Sequence, residues 1–180
     1  RLAEKKGVVV RETNDIQGFY RLMQTTGSRD GFAVHDISYY QKAFDIFSPT
    51  GACVLLGAFH EDQPLAYLML FLSGERSWYF YGASDDASRN LMPTYLLQWE
   101  AMRWSKAHGA TLYDLWGIPD ASAEELEEQF MQRSDGLWGV YRFKRGFGGE
   151  VVRSAPAFIR IYQPLLYHAY QKIRAGRMAD

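Results

Sequence analysis

The sequence predicts a mixed α/β layer fold whose mostly antiparallel sheet is flanked by helices. Three observations carry that prediction. Three strand-like runs follow one another across residues 52–83 with only tight turns between them, a long helical pattern comes directly after, and one more apolar strand follows it at 111–116. At 180 residues the chain is long enough for one complete core, and 47% hydrophobic with 23% charged residues is a globular balance that excludes disorder.

The elements can be justified in order. RLAEKKG reads as the last turns of a helix, basic at its C-terminal end and stopped by Gly7. Residues 1–7 are therefore expected to be the exit from a preceding helix or domain, and 8–180 one domain. Val8–Val10 is a short strand, and Asn14 or Asp15 caps a helix to about Thr26. GSRDGF, residues 27–32, reads as loop, and Asp36 or Ser38 caps a second helix that Ser48 and Pro49 end. Ala52–Phe59, Leu65–Leu72 and Ser77–Ala83 form a meander. Thr94–His108 is helical, with Leu97, Ala101 and Trp104 on one face, and Gly109 stops it. Thr111–Trp116 is a strand, and Ser122 with Glu125 is a capping box for an acidic helix. Strands near Glu150–Ser154 and Ala157–Tyr162 precede a final helix from Pro164 that ends before Gly176.

Composition excludes several functions. A net charge of -1 supplies no uniform positive field, so the chain is not a general nucleic-acid coat, although a local anion site is compatible with it. One cysteine, Cys53, forbids an internal disulfide, and the four histidines have no metal-ligand spacing, so no metal is expected. No apolar run approaches the roughly 20 residues of a membrane span and no signal peptide is visible, so the simplest expectation is a cytoplasmic location.

Four stretches carry candidate chemistry. GVYRFKRGFGGEVV, residues 139–152, sets Arg142, Lys144 and Arg145 among aromatics and follows them with glycines. Lys144 could hold a phosphate or a developing oxyanion while the rings stack a base. The same spacing also suits a short helix that Phe143 and Phe147, four apart, anchor to the core. In RDGFAVHDISYY, His35 and Tyr39 share a face only if the helix begins early enough. In WYFYGAS, strand alternation puts Trp78 and Phe80 on one face of the sheet and Tyr79 and Tyr81 on the other. LYDLWGIPD sets Asp114 in an apolar strand, as a catalytic group or as the tie for a neighbouring loop. Against these stands one negative. The glycine-rich pyrophosphate turn of acyl-CoA N-acyltransferases of the GNAT class has no counterpart in DDASRNLMPTY before the long helix.

Taken together, RLAEKKGV, TTGSRDGF with the following histidine and tyrosines, PLAYLM, YFYGAS, LMPTYLLQWEAMRWSKAHG, YDLWGIPD and VYRFKRGFGGE resemble the Fem-type (FemABX) aminoacyltransferases. The resemblance runs through nearly the whole chain in one order. It implies a GNAT-like acyltransferase fold and the second half of a two-domain enzyme, with a first GNAT-like domain as partner. It also implies transfer of an amino acid from aminoacyl-tRNA to the stem-peptide amine of a UDP- or lipid-linked muropeptide, and no cofactor. A lipid-linked substrate would bring the protein to the inner membrane face. The family's Phe-Lys pair falls on Phe143 and Lys144, which implies a catalytic lysine and contacts to the tRNA acceptor end from Phe143, Arg142 and Arg145. Its precursor-binding Arg-x-x-x-Tyr pattern falls on His35 and Tyr39, with a further tyrosine at Tyr81 ahead of Tyr79. His35 departs from that pattern, because an arginine grips a phosphate or carboxylate bidentately at any pH and a histidine does not. An acyl-CoA N-acyltransferase and a non-catalytic tRNA- or precursor-binding half are the alternatives.

Overall fold

The computed structural model describes residues 1–156 and 158–177. Five strands form one sheet in the order β1-β2-β3-β4-β5: Val9–Glu12, Cys53–His60, Gln63–Ser73, Arg76–Ser84 and Leu112–Asp114. The first four are antiparallel neighbours, and β5 lies parallel to β4 through Arg76–Leu112, Ser77–Tyr113 and Trp78–Asp114. The helices are α1 (Leu2–Lys5), α2 (Ile16–Asp30), α3 (Ile37–Phe47), α4 (Pro93–Ala107), α5 (Ala123–Gln129), α6 (Trp138–Arg145) and α7 (Pro164–Arg177). This is the mixed, mostly antiparallel arrangement that the sequence predicts.

Helices cover both faces of the sheet, so every residue of β2 but the last is buried and the strand shows no alternation. On one face Val54, Leu56, Leu68 and Leu70 meet Leu96, Leu97 and Ala101 of α4. On the other, Leu55, Tyr67 and Met69 meet Ile16, Phe19 and Met23 of α2 and Tyr40 and Phe44 of α3. Leu126, Trp138 and Tyr141 make a third, smaller cluster between α5 and α6.

Several local expectations change. GSRD is not loop, because α2 continues to Asp30 and ends at Gly31 in the left-handed conformation. Gly27 serves close approach instead, since a Cβ there would lie 2.4 Å from Val34 Cγ2. The β2–β3 turn uses Glu61 and Asp62 at φ 48° and 62°, a two-residue turn of the left-handed kind made without glycine. Residues 150–156 and 158–162 form no strand. Their β-branched and aromatic residues suit strands, but these residues are exposed and lie in no sheet among the described residues; Ala157 lies outside them. The chain divides into two compact units, Arg1–Gly148 and Gly149–Asp180, and α7 belongs to the second.

Asp15 shows how the first unit is tied together. One carboxylate oxygen accepts from Gly18 N at 2.8 Å and caps α2, and the other accepts from the buried Tyr67 hydroxyl on β3 at 2.8 Å. Burial and that carboxylate together push the Tyr67 hydroxyl well above the usual tyrosine range. Asp15→Ala removes the cap and strands the Tyr67 hydroxyl, so it is expected to cost about 2–3 kcal/mol in urea unfolding. A loss under about 0.5 kcal/mol would show that water replaces both bonds.

Candidate active site

Helix α6 presents the central group. Trp138, Tyr141 and Lys144 recur every three residues and are all buried, so a lysine occupies a position of the apolar stripe. Lys144 is 7% exposed, and its Nζ donates to the Gly117 carbonyl at 2.7 Å. The same Nζ lies 5.6 Å from the centre of the Tyr79 ring. Burial pushes the Lys144 amine down to about 8, against which the Asp114 charge pulls upward. At neutral pH it remains largely an ammonium, held in a site with little water.

Phe143, the neighbour of Lys144, joins an aromatic group. Its ring lies 5.0 Å from Tyr95 at the start of α4 and 5.3 Å from Phe147, and Tyr95 lies 5.8 Å from Phe147. Tyr95 is exposed, and the sequence reading missed it. Only its place near a helix start beside an apolar stripe could have drawn notice.

Arg142 and Arg145 turn instead toward α5. Arg142 donates to the carbonyls of Phe130, Met131 and Arg133 at 2.8, 3.3 and 3.1 Å. Arg145 grips both oxygens of Glu127 at 2.6 to 2.8 Å and lies over the Phe130 ring. Glu127 also accepts from the Tyr141 hydroxyl at 2.6 Å, and these two donors hold its carboxyl below the usual range. Both guanidiniums therefore join α5 to α6.

Strand β4 contains the feature that sorts the remaining residues. Met69 pairs with Tyr81 and Leu70 with Tyr79, which leaves Phe80 as the extra residue of a β-bulge. A bulge shifts the alternation by one, so Tyr79 and Tyr81 do not share a face as expected. Tyr79 packs with the α4-side core and Tyr81 with the α2–α3 side. The hydroxyl of Tyr79 lies so close to Gly82 that a Cβ there would come within 1.9 Å of it.

On the α2–α3 side, Tyr81, Tyr39 and His35 meet. The Tyr39 and Tyr81 hydroxyls are 3.0 Å apart, and the His35 ring stacks on Tyr39 at 4.2 Å. Asp36, not Ser38, caps α3, accepting from Ser38 N at 2.9 Å, so His35 precedes the helix and reaches Tyr39 from outside it. Burial and the Tyr39 hydroxyl raise Tyr81 far above the ordinary tyrosine value. The structure thus joins His35, Tyr39 and Tyr81 in one cluster and Lys144 with Tyr79 in another, on opposite faces of β4.

The start of α4 explains the missing glycine turn. Pro93 opens the helix without an N–H, Met92 before it is left-handed at φ 56°, and Asp86 in the preceding loop is held by Arg29 at 2.6 Å and Arg89 at 2.7 Å. A carboxylate and a proline thus stand where a pyrophosphate would need bare amides. Among the described residues no cluster of acidic, histidine or cysteine side chains could hold a metal ion, and no helix is long and apolar enough to cross a membrane.

A mixed sheet covered by helices on both faces is also the fold of solved acetyltransferases. Consistent with that, an aminoglycoside acetyltransferase from an uncultured soil metagenomic sample, solved with sisomicin, superposes with a TM-score of 0.58 at 11% identity, over 88% of this chain and 99% of that one. The chain belongs to the FemAB family, whose model matches residues 1–60 and 55–175. It is similar to the lipid II:glycine glycyltransferase of Staphylococcus saprophyticus, 25% identical over 242 residues, covering 98% of this chain and 58% of the relative. The protein of the same name from Staphylococcus aureus is 25% identical over 244 residues, with 96% and 58% covered. The crystal structure of FemX superposes with a TM-score of 0.70 at 22% identity, over 82% of this chain and 52% of that one. The chain spans about half the length of the curated relatives it matches.

Proposed function

We propose that this chain is the GNAT-like half of an aminoacyltransferase that moves an amino acid from aminoacyl-tRNA to the stem-peptide amine of a lipid-linked peptidoglycan precursor. The observation that carries the reading is Lys144, a buried ammonium bonded to the Gly117 carbonyl, whose neighbour on α6, the half-buried Phe143, packs against the exposed ring of Tyr95. The precursor amine attacks the ester carbonyl, and the new C–N bond leaves a tetrahedral oxyanion that Lys144 stabilises. Collapse breaks the ester C–O bond, and the proton lost by the amine ends on the departing ribose oxygen. The ester is already activated, so positioning and electrostatics suffice.

Phe143 serves as the platform for the terminal nucleotide, while Arg142 and Arg145 contribute by holding α6 to α5. His35, Tyr39 and Tyr81 are the precursor contacts. The names of the glycyltransferase relatives support a lipid-linked rather than a UDP-linked acceptor and a location at the inner membrane face. A first GNAT-like domain is the partner this reading calls for.

The test is binding of the chain to a charged acceptor-stem hairpin, with Lys144→Ala and acetyl-CoA run beside it. Hairpin binding is expected to weaken with salt and to fall about tenfold in the variant. Transfer, assayed with the partner domain present, is expected to decline above about pH 8, where Lys144 loses its proton. Tight acetyl-CoA binding with indifference to the hairpin would replace this reading with acyl-CoA chemistry.

A further inference from the structure

Asp114 belongs to none of the roles above. Its carboxylate Oδ1 accepts from Trp116 N at 2.8 Å, closing a short turn in which Trp116 is left-handed at φ 66°. The next residue of that turn, Gly117, supplies the carbonyl that Lys144 binds at 2.7 Å. The register of β5 on β4 ends at Asp114 opposite Trp78, so the turn begins where the parallel pairing stops.

The other groups around the ammonium are neutral or engaged elsewhere. From β4 comes the Tyr79 ring. On α6 itself, Arg142 is bound to carbonyls near the end of α5, while Arg145 and Tyr141 bind Glu127. Asp114 stands one short turn from that ammonium, its Oδ1 on the Trp116 amide and the ammonium on the carbonyl of the next residue.

We propose that Asp114 is a positioning residue for Lys144, acting both through the turn that presents the Gly117 carbonyl and through the negative charge it sets near the ammonium. The inference rests on the reading of Lys144 as the working cation. One carboxylate thereby links the place of the ammonium to its charge state. The structure gives the first role directly, and the second follows from a charge acting in a site shielded from water.

Two substitutions separate the roles. Asp114→Asn keeps an oxygen for the Trp116 amide and removes the charge, while Asp114→Glu keeps the charge and spoils the short turn. Lys144 is followed by NMR titration of the chain labelled with 13Cε-lysine, and the Trp116 amide by hydrogen exchange. In Asp114→Asn the Lys144 midpoint is expected to fall by about one pH unit below that of the native protein, with the Trp116 amide still protected. In Asp114→Glu the amide is expected to exchange faster while the midpoint falls less than in Asp114→Asn, since the charge stays and only the hold on the Gly117 carbonyl loosens. A midpoint unmoved by Asp114→Asn, or lowered as far by Asp114→Glu, overturns the inference. Transfer that ignores pH although Lys144 shifts as expected would remove Lys144 as the catalyst and leave the hold of Asp114 upon it standing.

Discussion

Lys144→Met is expected to make the protein more stable and far less active. The native side chain is an ammonium, 7% exposed, with one carbonyl partner among the described residues. A buried cation so sparsely compensated opposes folding. Its amine lies at about 8 in the folded chain, against 10.5 for a free lysine. The sign follows from proton counting. Below about pH 8 both folded and unfolded chains carry the proton, and the folded state bears the full cost of the buried charge. Between about 8 and 10.5 the unfolded chain binds more protons than the folded one, so stability rises with pH across that window. The drop corresponds to about 3 kcal/mol at neutral pH, from which the Gly117 bond recovers about 1.

Methionine has similar reach and no charge, so the variant should gain about 1–2 kcal/mol at pH 7 once the lost Gly117 bond is counted. The difference from the native protein should shrink toward pH 10.5. Transfer should meanwhile fall about 100- to 1000-fold, the usual loss when an oxyanion donor is removed. Urea unfolding at pH 7 and pH 10, beside a transfer assay, checks both halves. A variant less stable than native at pH 7 would show that Lys144 is a structural tie, and would sink the idea that stability is given up here for chemistry.

The sequence makes some of this site legible and hides the rest. The i, i+4 spacing of Phe143 and Phe147 already reads as a short helix, because helix period is a local property, but it turns those rings to the core where the fold buries Trp138, Tyr141 and Lys144. The partners of that lysine come from residues 27 and 65 positions away, and no local pattern names Gly117 or Tyr79. Arg142 and Arg145 read as free cations for the same reason, since Glu127 and the carbonyls of Phe130, Met131 and Arg133 meet them only in the fold. The meander, the Asp15 and Asp36 caps and the Ser122 cap of α5 were readable because capping chemistry lies within a few residues. The strand expectations near 150–162 failed on the opposite ground, because a run of β-branched and aromatic residues does not supply the neighbour that a strand requires. The bulge at Phe80 is the most consequential feature that stayed hidden. WYFYGAS alternates without fault, and only pairing with β3 shows that the phase slips and sends Tyr79 and Tyr81 to opposite faces.

That slip makes Gly82 the second sensitive position. Its backbone conformation is open to any residue, so alanine would ordinarily strengthen the strand. What forbids it is the Tyr79 hydroxyl, 1.9 Å from the place a Cβ would take, with two more atoms of the same ring at 2.6 Å. A ring is rigid and cannot withdraw its tip, so Gly82→Ala must displace the whole side chain from beneath Lys144. The expected cost is about 2–3 kcal/mol, in the range of overpacking a well-filled interior. In a Tyr79→Leu background the same substitution should cost under about 1 kcal/mol, because the obstructing ring is gone and the two changes are coupled. Activity should follow a different rule. Tyr79→Leu relieves the crowding yet removes the aromatic face from the ammonium, so the double variant should regain stability without regaining transfer. If the double variant recovers both, the ring only fills space and the Lys144 ammonium draws nothing from it.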